Sequence, residues 1–296
     1  MTVAVITDGA ASLPDELARD RGVTVVPLEV TIGGHAAGDG GPVPLEEVVR
    51  RLGDGVRTSS PPPGRFAAAI RRSQDQDQGR GGDGVLILTV ARSMSSTYQA
   101  AALAARQAAG ASGPGFGPVE VLDTGTAAGG QGLVVLAAAQ AAQRGRPLGE
   151  VAAAARTAAG RVRLVATLDN LDQLVAGGRL PRAVGRLGTL LGVQPLFEFS
   201  HGGIHPRAPA FSRAAARRRI LARWRSSRPR GPAALHVAAL HALAPHEAES
   251  LLGAVRAELG TDPATAFIGE FGAAMVAHTG PNLTGLSWYW EGEPRV

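Results

Sequence analysis

The sequence predicts an α/β protein of two domains: an N-terminal domain built on a mostly parallel sheet, and a C-terminal α/β sandwich with antiparallel strands. The first observation behind this is a strand-then-helix rhythm that repeats up to about residue 160, the pattern of a parallel sheet covered on both faces. The second is the change of rhythm from about Arg161, where strands flank the turn His201-Gly202-Gly203 and antiparallel pairing follows. The third is size. At 296 residues and 45% apolar, the chain can fill two cores at the usual allowance of roughly 100 to 200 residues per domain. The expected domains are 1–160 and 161–296.

In the first domain the β-branched segments Val3–Thr7, Val23–Val30, Val85–Val90 and Val119–Leu122 read as strands. Leu13–Arg21, Leu45–Leu52, Arg65–Arg72, Thr97–Gly110 and Gly132–Arg144 read as helices, and Gln74–Gly84 as a polar loop. In the second domain Leu164–Thr167 is an expected strand. The segment LDNLDQLVAGGRL offers an Asn or Asp cap, a short helix and a glycine stop. Gln194–Phe199, Leu235–Leu240, Ala266–Phe271, Ala273–His278 and Leu283–Trp290 complete the expected strands, with helices at Phe211–Arg225 and Pro245–Gly260.

Composition narrows the chemistry. All 30 basic residues are arginine, and there is no lysine or cysteine. That excludes a P-loop lysine, a lysine Schiff base, a cysteine nucleophile, thiolate zinc sites and disulfides. No apolar run approaches the ~20 residues needed to cross a bilayer, and the start of the chain lacks the pattern of a secretion signal. A cytoplasmic location is expected. Seven His residues show no metal-ligand spacing, so neither a metal nor a cofactor is expected. GTAAGGQG, Gly125–Gly132, does not spell a dinucleotide fingerprint. Arg213–Arg230 carries eight arginines, which reads as a charged helix face ahead of a nucleic-acid surface.

Three hydroxyl clusters remain: Thr7-Asp8, Thr58-Ser59-Ser60 and Ser93-Ser95-Ser96-Thr97. Loops leaving the carboxyl ends of parallel strands line the crevice where α/β proteins bind ligands. The third cluster lies between an apolar strand and a helix, where the amides of Ser96 and Thr97 would point unpaired donors at an anion. Taken singly, each hydroxyl is better explained as a cap or turn residue. Pro61–Pro63 stiffens the loop carrying Thr58 and favours a fixed site over a solvated turn. His278, expected at a strand end before a Gly-Pro turn, could donate to an anion or act as a base.

In this order the clusters resemble the DegV family of bacterial fatty-acid-binding proteins. The family's TDS-x-x-DLP is matched by Thr7 to Pro14, its TSxPSP by Thr58 to Pro63, and its LSGTYQSA by Met94 to Ala101. Its DS-x-x-x-S-x-G-x-G resembles Asp123–Gly132, and its L-x-x-GGR-[IL] resembles Leu174–Leu180. Its KP-[IL] strand resembles Gln194-Pro195-Leu196, and its H-x-GPG resembles His278 to Asn282. The resemblance spans essentially the whole chain.

It implies a two-domain protein that holds one long-chain fatty acid between its domains and is not itself an enzyme. The carboxylate would be gripped by Thr58 and Ser95, with the Ser96 amide and His278 beside them and the tail in an apolar tunnel. The bound acid would be presented to an ATP-dependent fatty acid kinase, which makes an acyl phosphate for phospholipid synthesis, with Arg179 as a contact for that partner. Departures from the pattern are Gly9 and Ser12 in the first motif, Ser96 for a glycine, and Phe211 where an arginine is usual, with Arg213 the nearest basic residue. The competing reading is a serine hydrolase, with Ser95 as nucleophile, His278 as base and Asp8 or Asp123 as orienting acid.

Overall fold

The structure, a computed structural model, describes residues 3–37, 43–75, 82–110, 117–180, 193–200 and 202–292. In chain order the strands are β1 (Ala4–Asp8), β2 (Val23–Val26), β3 (Glu29–Ile32), β4 (His35–Ala36), β5 (Arg57–Ser59), β6 (Val85–Thr89), β7 (Val119–Asp123), β8 (Arg163–Thr167), β9 (Gln194–Ser200), β10 (Gly203–Ala210), β11 (Ala234–His241), β12 (Thr265–Glu270) and β13 (Thr284–Glu291). The helices are α1 (Asp15–Asp20), α2 (Leu45–Arg50), α3 (Pro63–Asp75), α4 (Thr97–Gly110), α5 (Ala128–Gln143), α6 (Leu148–Arg161), α7 (Asp172–Ala176), α8 (Arg213–Ser226), α9 (Pro245–Leu259) and α10 (Ala273–Thr279).

The chain forms two compact units. One comprises Met1–Glu29 with Ser59–Gly160, the other Val30–Thr58 with Arg161–Val296. The first unit is a parallel sheet in the order β2-β1-β6-β7. One of its two central strands, β6 with the sequence VLILT, is buried along its whole length, as a strand covered on both faces must be. Val85 and Ile87 point to the layer of Phe66, Ala69 and Ile70 on α3 and Ala101 and Ala104 on α4. The i, i+3, i+4 spacing of those helical residues is what makes one apolar face. The other face of the sheet packs on α5. Pro63 starts α3, where its fixed φ and missing N–H are no cost.

The second unit contains a six-stranded mixed sheet, β10-β9-β8-β13-β11-β12, in which β11 and β12 are parallel and the other pairs antiparallel. Ile220 and Trp224 of α8 and Leu251 and Val255 of α9 pack on Val237, Leu286 and Trp288. The indole N–H groups of Trp288 and Trp290 both donate to Ser227 Oγ, at 2.7 and 3.1 Å, so this apolar layer leaves neither donor unpaired. The segment Val30–Thr58 adds a small sheet, β4-β3-β5, and the helix α2, which packs against α10.

Several expectations are corrected. Val23–Val30 is two strands, because Pro27 lacks the N–H that would continue the ladder. Thr58 lies in a short strand, β5, where a loop was expected. Ala273–His278 is a helix: Gly272 opens it in extended backbone, Gly280 at φ +69° stops it, and Ala274 and Ala277 bury one face. A six-residue apolar run does not distinguish strand from helix by its period. A helix beyond those expected, α6, turns Val151, Ala152, Ala155 and Ala158 inward. The chain passes between the two units after Glu29, Thr58 and Gly160. Of the expected turn, His201 lies outside the described residues, as do residues 76–81 of the polar loop.

Candidate functional site

In the first unit the carboxyl ends of β1, β6 and β7 carry the polar residues, as the strand order requires. Asp8, fully buried, accepts from the amides of Ala10 and Val90, both at 2.9 Å, and ties the end of β1 to the end of β6. Burial pushes its carboxyl above the ordinary value although these amides and Gln131 favour the charged form. Thr7 Oγ1 donates to the Leu88 carbonyl and accepts from Gln131 Nε2 at 3.0 Å. Asp123 accepts from Arg92 and from the Gly125 amide. Both candidate acids of a hydrolase triad therefore spend their oxygens on backbone amides and an arginine.

Ser95 and Ser96 lie just ahead of α4. Ser95 Oγ accepts from the Thr97 amide at 3.3 Å and sits 2.8 Å from Thr97 Oγ1. The Thr97 amide, expected as an unpaired donor, is therefore taken up by Ser95. Where Thr97 donates to it, the Ser95 hydroxyl hydrogen remains available to an acceptor. Ser96 is exposed, and its Oγ is 2.6 Å from Ser60 Oγ. The Ser96 side chain is thus tied to the neighbouring loop.

The second unit holds Thr58, His278 and Arg179. Thr58 Oγ1 and His278 Nε2 are 2.6 Å apart. Burial, joined by the Arg179 guanidinium, lowers the His278 pKa to about 4, so the ring is neutral at pH 7, with one nitrogen donating and the other accepting. If Nε2–H donates to Thr58, the Thr58 hydroxyl is left to donate outward. Arg179 donates to the Gly177 carbonyl at 2.6 Å, and burial lowers its own pKa. Gly177 is the residue that sequence reasoning missed. A Cβ there would stand 2.8 Å from His278 Nδ1, so the first glycine of GGRL makes room for the imidazole as well as ending α7. Asn282, the last residue of the His278 motif, sits at φ +64°, which asparagine tolerates, and its side-chain Nδ2 donates to Asp169 Oδ2 at 2.8 Å.

Of the arginines on and after α8, Arg213 pairs with Asp169, Arg223 with Glu198 and Arg225 with Glu258. That is the charged helix face expected from the sequence. Among the described residues no group of three or more His, Asp or Glu could hold a metal ion, and no helix is long and apolar enough to cross a membrane.

A model of the DegV family, described as uncharacterised proteins, matches residues 2–291. The chain belongs to the DegV family. A DegV domain-containing protein of Streptomyces coelicolor is 34% identical over 288 residues, covering 96% of this chain and 97% of the relative. A second, from Deinococcus radiodurans, is 31% identical over 296 residues, covering 97% of this chain and 98% of the relative. The solved structure of a DegV family protein from Thermus thermophilus, described as fatty acid binding, superposes with a TM-score of 0.84 at 29% identity, covering 98% of this chain and 99% of that one. A Thermotoga maritima structure described as revealing fatty acid binding function has a TM-score of 0.81 at 23% identity, with 98% and 99% covered, and shows the shared fold.

Proposed function

We propose that this protein binds a long-chain fatty acid and presents it to an ATP-dependent fatty acid kinase, without catalysing a reaction itself. The carboxylate accepts hydrogen bonds from the Thr58 and Ser95 hydroxyls and the Ser96 amide, and the tail lies in an apolar tunnel. The observation that carries the reading is the group formed by Thr58, His278 and Arg179. A hydroxyl, a neutral imidazole 2.6 Å from it and a half-buried guanidinium are a donor set for an anion. Membership of a family with a fatty-acid-binding relative at 29% identity gives that anion its class.

The division of labour follows from magnitudes. Hydrogen bonds to a charged acceptor contribute about 1.5 to 3 kcal/mol each and orient the head group. Burying the tail contributes roughly 0.8 kcal/mol per methylene, so a C16 acid has a gross driving force on the order of 10 kcal/mol before ordering costs. Arg179, close to the head-group residues, is the contact assigned to the kinase. The function needs no cofactor, and a cytoplasmic location gives the partner its ATP. The hydrolase reading is less well supported, because Asp8 and Asp123 are both held by other donors.

Native mass spectrometry of protein purified from bacteria tests the proposal, with an adduct of fatty-acid mass expected. Thr58→Ala and Ser95→Ala should each weaken palmitate binding about tenfold or more, the worth of one charge-assisted bond. Protein that carries no such adduct and takes up no added palmitate would refute the reading.

A further inference from the structure

We infer that Arg92 is a positioning residue that holds the Ser95 loop in its binding geometry. The loop leaves β6 and enters α4 within a few residues, and Arg92 grips both of its ends. Its amide donates to Asp123 Oδ1 at 3.2 Å and its guanidinium Nε donates to Asp123 Oδ2 at 2.9 Å. The carboxylate it meets is itself fixed, because Asp123 ends β7 and Oδ1 also accepts from the Gly125 amide at 2.9 Å. The same guanidinium lies over the ring of Tyr98, 4.6 Å from its centroid, in the first turn of α4. Arg92, three positions before Ser95, therefore ties Tyr98, three positions after it, to the end of the adjacent strand.

Hydroxyl donors to an anion need their positions held to about half an ångström, and a loop does so only when its own supports are locked. Arg92 is 59% exposed in its side chain, and ion pairs in that setting add little to global stability. The contact therefore acts locally, on the loop, more than on the fold. Asp8 plays the matching part on the other side, holding the Val90 amide at the loop's start. The inference rests on the fatty-acid reading for its ligand but not for its geometry.

The test compares Arg92→Ala and Arg92→Lys with wild type in three measurements: amide hydrogen exchange over residues 91–97, affinity for palmitate against hexadecanol, and melting temperature. For Arg92→Ala, exchange in the loop rises and palmitate affinity falls about tenfold, the scale of one misaligned charge-assisted bond. Hexadecanol affinity and melting temperature stay near wild type. Arg92→Lys, which keeps the charge and loses the planar fork, falls in between. Unchanged exchange and palmitate affinity overturn the inference, and so does an equal loss for acid and alcohol, which marks a general structural defect. If wild-type protein binds no palmitate, the fatty-acid reading fails, and the exchange measurement alone then decides whether Arg92 holds the loop.

Discussion

Thr58 and His278 are 220 positions apart in the chain, yet the Thr58 hydroxyl and the His278 ring are joined at 2.6 Å. The bond links β5, from the early segment Val30–Thr58, to α10, near the end of the chain, within one compact unit. It also gives the imidazole a fixed neutral partner in a place where a charged ring would meet both burial and the Arg179 guanidinium.

The neutrality of His278 is measurable. Its ring resonances should titrate with a midpoint of about 4 and show no break near 6.5. A folded-state pKa below the unfolded one favours the neutral folded form. His278 therefore contributes stability that is fully present above about pH 6.5 and is lost as the pH falls towards 4, amounting to about 3 kcal/mol. Chemical denaturation of wild type and His278→Asn across that range should converge by this amount on acidification. Arg179→Gln should move the midpoint upward, since it removes one of the two causes.

Gly177 and Gly178 should respond differently to alanine. Gly177→Ala meets no backbone penalty at φ −77°, but its Cβ would lie 2.8 Å from His278 Nδ1 and 3.1 Å from the Gln173 carbonyl. The ring must shift, and palmitate affinity should fall with little change in melting temperature. Gly178 has φ +72° with no atom within 4 Å of its would-be Cβ. Gly178→Ala should therefore cost about 1 kcal/mol of stability and leave binding intact. The reverse pattern in paired melting and binding measurements would contradict the assignment of Gly177 to His278.

Asp8 is a stability residue more than a ligand. Asp8→Ala leaves the Ala10 and Val90 amides unpaired in a fully buried place, at about 1 to 3 kcal/mol for each group. The expected result is a clear drop in melting temperature. A variant that melts like wild type would mean that water replaces the carboxylate at both amides.

Much of this was readable from residue order. The buried VLILT strand and the start of α4 at Thr97 follow from local chemistry and lie where the sequence predicts them, whereas α3 starts at Pro63, ahead of the expected Arg65. What local chemistry could not supply was long-range partnership. Nothing near Thr58 points to an imidazole more than 200 residues away, and nothing in Val30–Thr58 says that it packs with the second half of the chain. The strand expected over Ala273–His278 failed for a related reason. A short apolar run is decided by what surrounds it, here the glycine at either end and the helices α2 and α7 against which α10 packs.

The interleaved course of the chain has a consequence for synthesis. Val30–Thr58 leaves the ribosome about a hundred residues ahead of Arg161, where the rest of its unit begins, and α10 follows only near the end of translation. Its partners arrive some ten seconds later at ordinary elongation rates of roughly 5 to 20 residues per second. During that interval Val30, Ile32 and Val48, all buried in the finished protein, are open to chaperones and proteases. A ribosome stalled before residue 161 would present this segment as its most vulnerable part.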